Sequence, residues 1–431
     1  MNEIKKIDYL LKTLFKLNRS LITPDNNKTL NLIKKEIPIK VLGSKSNEKV
    51  YDWVIPKEWL VKDAFISDLK NNKIVDFKNN NLHLLGYSHS IDRVMLFKDL
   101  NKKLHTLRNL PKAIPYRTSY YKTDWGFCVN KKQYDLIKKT KKLKVKIDTS
   151  FRNGKIAMGE FLLKGKSKKE ILFTTYICHP SMANDNLSGI ILNTLLAKYL
   201  KDKKKPYWSY RFVFHPETIG ALAYLKKKVR DVKKNVLFGF VLSCVGGPGE
   251  FFYKKTFNEE HFLNKLVINF FKNNRIKLNV SNFDIHGSDE RQYSSQGFGI
   301  NMGTISKSKY YEYKEYHTSL DDLDFVKSSN ILKTLNIYKK IVNEIEKTSI
   351  HESIIKNGEP MLSKRGIYPS LGGKILPKTN NLNFLSKILW ILFYSNGKNS
   401  DQQIIEKLKI GRDKYKKIIQ FLLKKKLIKK N

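Results

Sequence analysis

With 431 residues, 41% of them hydrophobic, the chain can bury the core of a large α/β domain and one or two smaller units. No apolar run reaches the roughly 18 residues that a transmembrane helix needs, so no membrane span is expected. The formal net charge is +44, from 83 Lys and Arg against 39 Asp and Glu. The surplus is mostly Lys and is spread along the whole chain, whereas phosphate and base recognition favours Arg. It reads as a lysine-rich composition rather than the footprint of a polyanion partner.

Residues 1–45 read as helical and then loop-like. The opening MNEIKKIDYLLKTLFKLNRSLI places charged and apolar residues at helical spacing and lacks the apolar core and cleavage site of a signal peptide. From Val50 to about Phe127 the character changes. The segments Tyr51 to Pro56, Ala64 to Ile66 and Asn81 to Tyr87 read as short strands between Asn-rich turns, which marks residues 46–129 as a β-rich insertion. It closes with IPYRTSYYKTDWGFCV, whose aromatic and polar density suits a segment facing a site or an interface.

From Lys144 the rhythm changes again. KVKIDTSF and KIAMGEFLLKG read as a hairpin, and strand–turn–helix units follow. Strands are expected over Glu170 to Cys178, Arg211 to Phe214 and Val236 to Cys244. Helices are expected over Leu187 to Leu200, Ile219 to Val229, Glu259 to Phe271 and Phe325 to Lys347. That alternation predicts an α/β fold, a mixed sheet flanked by helices, over residues 1–45 and 130–350. Residues 351–377 read as a connecting segment. Residues 378–431 read as a small unit of three helices, of winged-helix size, with Ser400 as an N-cap and the basic LLKKKLIKK in its last helix.

Three cysteines, Cys128, Cys178 and Cys244, make no CxxC and no even framework, which predicts a reducing, cytoplasmic setting. Cys178 and Cys244 end apolar runs and read as buried rather than nucleophilic.

The chemistry concentrates in TYICHPSMANDNLSG, FHPETIG and YHTSLDD. His179 follows a strand, Asp185 lies in the loop before the next helix, Glu217 opens the helix after a second strand, and His317 precedes a closing helix. Open α/β sheets gather their sites at such strand ends. Two imidazoles and a carboxylate, His179, His317 and Asp185, suit a zinc ion, and a further carboxylate, Glu217, suits proton transfer. Thr318 and Asp321 are placed to orient the last loop or its imidazole. His215, directly after a strand, is left outside the set.

NDNLSG resembles the DDNASG-type motif of the dinuclear zinc aminopeptidases, the clan that includes glutaminyl cyclases. ETIG resembles their EExG motif, YHTSLDDLD their YHTxxD motif, and GSDERQYSSQGFGI, with Ser288 and Asp289, their SDHxxF segment. The resemblance covers roughly residues 145–350. It implies Asp185 as the metal-bridging aspartate, His179 and His317 as ligands and Glu217 as general base. PETIG, SDERQ, YHTS and KRGIYPSLGG more closely resemble a bacterial family with an aminopeptidase-like domain, an insertion like a protease-associated domain and a C-terminal winged helix. Its members are described as polysaccharide-biosynthesis proteins.

Two departures stand out. Thr218 and Ser243 occupy positions where the aminopeptidases have a glutamate and an aspartate ligand. One zinc per chain, held by His179, Asp185 and His317, is therefore expected instead of two. The implied function is hydrolysis of an amide or peptide bond, in a peptide, an amide-bearing small molecule or a glycan precursor. Arg117 is a candidate for a substrate carboxylate or phosphate. The alternative is a non-catalytic ligand-binding or regulatory protein whose winged helix binds nucleic acid. A homo-oligomer is compatible with either reading.

Overall fold

The computed structural model describes residues 2–367 and 384–431. Its centre is a mixed sheet of eight strands. In spatial order they are Lys40–Lys45, Lys155–Leu163, Ser209–His215, Glu170–Tyr176, Val236–Val241, Asn301–Lys307, Phe251–Lys254 and Leu278–Ser281. The four from Ser209–His215 to Asn301–Lys307 are parallel, and antiparallel pairing sets in at Lys155–Leu163 on one side and Phe251–Lys254 on the other. Glu170–Tyr176 is buried along its whole length. Its run of apolar and β-branched residues is what a central parallel strand covered on both faces requires.

Phe173, Phe212 and Phe240 point to one face of the sheet, where the helices Glu3–Phe15, Gly189–Lys201 and Ser328–Glu346 cover them. The opening helix contributes Ile7, Leu10, Leu11 and Leu14, one stripe at helical spacing. Leu172, Val213 and Val241 point to the other face. There they meet the helix Ile219–Asn235 and a second, antiparallel sheet, in the order Lys73–Asp76, Glu58–Ser67, Lys142–Arg152, Ile91–Leu96.

The second sheet draws Lys142–Arg152 from beyond the expected boundary at residue 129. The hairpin expected from KVKIDTSF and KIAMGEFLLKG does not form. Lys142–Arg152 pairs with Glu58–Ser67 and Ile91–Leu96, and Lys155–Leu163 pairs with Lys40–Lys45 and Ser209–His215. A strand has two edges, and distant partners take all four. Asn81–His83 is a 3₁₀ turn rather than part of a strand.

A third sheet orders Asn396–Ser400, Ile350–Ser353 and Ile428–Lys430 and packs with the helices Phe384–Tyr394, Asp401–Leu408 and Arg412–Lys424 around Ile388, Ile404, Tyr415, Ile418 and Leu422. Ser400 caps its helix in a reciprocal pair with Gln403. Ile350–Ser353, which straddles the expected boundary between the α/β domain and the connection, belongs to this unit. The end of LLKKKLIKK is the strand Ile428–Lys430, because the helix stops at Lys424 and the chain returns to pair with Ile350–Ser353. Part of the KRGIYPSLGG hallmark, from Tyr368, and residues 368–383 of the expected connection and C-terminal unit lie outside the described residues. Among the described residues no helix is long and apolar enough to cross a membrane.

Candidate metal centre

His179 follows the carboxyl end of Glu170–Tyr176 by three residues. The chain then passes through the distorted turn Ala183–Ser188, where Asp185 sits in a non-helical conformation, before entering Gly189–Lys201. Two sets of bonds hold this turn. Asn186 Nδ2 donates to Thr175 Oγ1 at 2.9 Å, tying the turn to the strand end. The Asp321 carboxylate accepts the backbone N–H of Asn184 at 2.6 Å and of Asp185 at 2.9 Å. Asp321 thus serves the turn that carries Asp185 rather than an imidazole. Thr318 Oγ1 donates to the Glu315 carbonyl at 2.8 Å and so shapes its own loop.

His317 adopts a left-handed backbone, φ 54°, which a non-glycine residue holds only under outside constraint. The constraint comes from the inserted unit. Tyr116 N–H donates to the His317 carbonyl at 2.8 Å, and Ile114 N–H donates to Ser319 Oγ at 2.9 Å. Tyr316 stacks on the His317 ring with centroids 3.9 Å apart, and the Tyr116 ring lies 5.3 Å from both His179 and His317. IPYRTSYY is therefore a wall of the site.

One ligand atom from each of His179, Asp185 and His317 lies within 4.8 Å of the others. Asp185 Oδ2 is buried, 3.0 Å from His317 Nε2, and has no well-aligned hydrogen-bond donor. Asp185 Oδ1 accepts from Tyr176 Oη, which is also 2.7 Å from Ser243 Oγ. Burial works to raise the Asp185 carboxyl, but the His179 and His317 imidazoles and the Tyr176 hydroxyl outweigh it and hold it at about 2. Burial lowers His179 to about 4, so its ring is neutral near pH 7 with a lone pair to give. Two imidazole nitrogens around an orphaned carboxylate oxygen fit a zinc ion.

Glu217 stands beside this cluster. Its Oε2 is 3.8 Å from His179 Nε2, and its Oε1 accepts from Ser288 Oγ at 2.7 Å. Burial, with the neighbouring Asp185 charge, raises its carboxyl to about 7. Thr218, next in the chain, is left-handed at φ 58° and donates its N–H to Asp289 Oδ1 at 2.8 Å.

The structure thus brings together His179, Asp185, His317 and Glu217. His215 is committed elsewhere, its ring nitrogens 2.9 Å from Thr174 Oγ1, 3.0 Å from Tyr293 Oη and 3.0 Å from the Pro216 carbonyl. Arg117 is exposed and donates to the Tyr116 carbonyl at 3.2 Å; the arginine whose charge bears on Glu217 is Arg291. All three cysteines are buried and free, and burial pushes the Cys178 and Cys244 thiols well up and Cys128 to about 12, which disarms them as nucleophiles. Tyr116, Tyr316 and Tyr176 are not singled out by the sequence; for Tyr116 and Tyr316 the available signal is the tyrosine density of IPYRTSYY and YYEYKEYHTS, and Tyr176, in TTYIC, carries none.

Residues 8–348 match the family DUF4910, described as a domain of unknown function, and residues 349–430 match a winged helix-turn-helix family. A Clostridium acetobutylicum protein, named as a candidate polysaccharide biosynthesis protein with an aminopeptidase-like domain, is 38% identical over 391 residues, 91% of this chain and 88% of that one. A solved structure of a candidate peptidase from Clostridium acetobutylicum is 35% identical, with a TM-score of 0.79 over 99% of this chain and 96% of that one. A zinc aminopeptidase from Bacillus subtilis shares the fold at 12% identity, with a TM-score of 0.54 over 79% of this chain and 95% of that one. The chain belongs to the DUF4910 family, as an aminopeptidase-like protein with a C-terminal winged helix.

Proposed function

We propose that the protein is a zinc-dependent hydrolase of amide or peptide bonds, with His179, Asp185 and His317 as the metal ligands and Glu217 as the general base. The observation that carries this reading is the approach of those three ligand atoms to within 4.8 Å of one another, beside a carboxylate 3.8 Å from His179. When bound, zinc would polarise the scissile carbonyl and make a water acidic enough to attack near neutral pH. Glu217, raised to about 7, is matched to accept the proton of the attacking water and to hand it to the leaving amine. Ser288 holds one Glu217 oxygen and leaves the other toward His179. The Tyr116 and Tyr316 rings pack against the two imidazoles and limit water around them. The name of the Clostridium acetobutylicum relative supports a setting in polysaccharide biosynthesis, and the substrate we propose there is an acyl-amide on a glycan precursor or a peptide.

The test is zinc content of the full chain purified without chelator. About one zinc per chain in wild type and none in His179→Ala with His317→Ala is the expected outcome, with Glu217→Gln retaining zinc and losing turnover on amide substrates. A wild type that carries no metal and takes none up on titration would overturn the reading.

A second reading is supported by the winged-helix match and by the exposed Arg412, Lys414, Lys416 and Lys417 on Arg412–Lys424. It makes the C-terminal unit a nucleic-acid contact. Sequence-selective, salt-dependent DNA binding lost on Lys416→Glu with Lys417→Glu supports it; binding without selectivity reports only the charge and overturns it.

A further inference from the structure

The oxygen atoms around the centre are unequally available. Asp185 Oδ1 is taken by the Tyr176 hydroxyl, which also reaches Ser243 Oγ at 2.7 Å. Both Asp321 oxygens are taken by backbone N–H groups of the ligand turn. Asp289 gives Oδ1 to the Thr218 N–H; its Oδ2 has no hydrogen-bond partner but lies 3.8 Å from His215, away from the His179 and His317 pair. Glu217 gives Oε1 to Ser288. Two carboxylate oxygens are turned toward the His179 and His317 imidazoles, Asp185 Oδ2 and Glu217 Oε2. The two imidazole nitrogens and Asp185 Oδ2 make three donors, which would leave the fourth position of one tetrahedral ion to a water beside Glu217 Oε2, whereas two ions need about twice as many protein donors.

Resting on the zinc reading above, we propose that Tyr176 is a positioning residue for the metal. Its hydroxyl, bonded to Asp185 Oδ1 and Ser243 Oγ, restricts Asp185 to one ligand oxygen and reserves the centre for a single ion. The physical reason lies in the hydrogen-bond geometry. A carboxylate bridges two ions by presenting both oxygens. Here one oxygen accepts a buried O–H, and displacing that bond would strand the Tyr176 hydroxyl in a core with Ser243 as its one remaining partner. Tyr176 is buried at the end of a central strand, so it cannot swing to solvent. Ser243, with a hydroxyl where a carboxylate ligand would be needed, completes the exclusion.

The experiment is a Co²⁺ titration of the zinc-free full chain, followed by visible absorption and by elemental analysis after desalting. Wild type is expected to saturate at one ion per chain. Tyr176→Phe frees Asp185 to chelate with both oxygens, so it should still bind one ion but with a changed Co²⁺ ligand-field band. Tyr176→Phe combined with Ser243→Asp should take up a second ion. Two ions in wild type overturn the proposal and leave the hydrolase reading standing. An unchanged Co²⁺ spectrum in Tyr176→Phe overturns it as well, even where the double variant fails to fold. One ion in a folded double variant does the same. No ion in wild type removes the zinc reading and this proposal with it.

Discussion

At the residue scale, Glu217 has the most testable chemistry. Its folded-state value near 7 lies above the ordinary 4.5, so the folded metal-free protein binds a proton there that the unfolded chain releases. Stability from this group is fully present below about pH 4.5 and is lost as pH rises through 7. Glu217→Gln removes the titration. The melting temperature of the metal-free variant should therefore exceed that of wild type by a margin that grows from pH 4.5 to 7.5, measured by differential scanning calorimetry. A constant margin would mean that Glu217 titrates normally. His179 works in the opposite direction. Lowered to about 4, it contributes stability that is lost as pH falls below 6.5, so only the difference between variant and wild type isolates Glu217. In the zinc-loaded protein, removing a general base typically costs about 10²- to 10⁴-fold in rate, and Glu217→Gln should lie in that range by kcat on a cleaved amide. The identity of these side chains was readable because each follows a strand end. The role of Tyr176 was not, because a tyrosine inside TTYIC looks like any core aromatic until Ser243 and Asp185 are brought beside it.

At the element scale, the turn Ala183–Ser188 depends on Asp321, more than a hundred residues away. Asp321→Ala would leave two buried N–H groups without their acceptor, at about 1–3 kcal/mol each. A lower melting temperature and weaker zinc binding are expected together, by calorimetry and zinc titration, with Asp321→Asn losing less on both. A fall in stability with unchanged zinc affinity would show that the turn keeps its shape without Asp321. Gly189 is a second constraint on this turn. A Cβ there would come within 2.3 Å of the Leu242 carbonyl, so Gly189→Ala should destabilise the helix start, seen as a lower melting temperature. The elements themselves were largely legible. Helical spacing located Ile219–Asn235 and Ser328–Glu346, and continuous apolar runs located Glu170–Tyr176 and Ser209–His215. Their ends shifted by a few residues because tertiary pairing, not propensity, sets where a strand stops.

At the scale of the whole molecule, the inserted unit is not separable. Val145 and Ile147 of Lys142–Arg152 pack in one cluster with Trp59, Ile66 and Val75 of the insertion and with Leu172 and Val213 of the central sheet. A fragment of residues 46–129 lacks the strand that Glu58–Ser67 and Ile91–Leu96 both pair with. It should show no cooperative thermal transition and poor dispersion in proton NMR; a folded spectrum would show that the insertion is autonomous. The winged unit docks on the rest through Gln403 Nε2 to the Glu260 carbonyl at 2.8 Å, Tyr207 Oη to the Asn431 carbonyl at 2.6 Å and an exposed Lys265–Glu406 pair at 2.7 Å. The exposed pair adds little to that docking, since solvent screens it.

What the sequence by itself determined is the order of elements, the α/β class and the residue types at the strand ends. Those follow from local periodicity and from a few polar side chains placed where apolar runs stop. What only the tertiary structure decided is which strands share an edge, which carboxylate oxygens are already bonded, and that Tyr116 of the insertion touches both imidazoles. Each of those depends on a pairing between residues tens to hundreds of positions apart. Such pairings are chosen by competition for two strand edges and a limited set of buried donors, and no local pattern in the chain encodes the outcome of that competition.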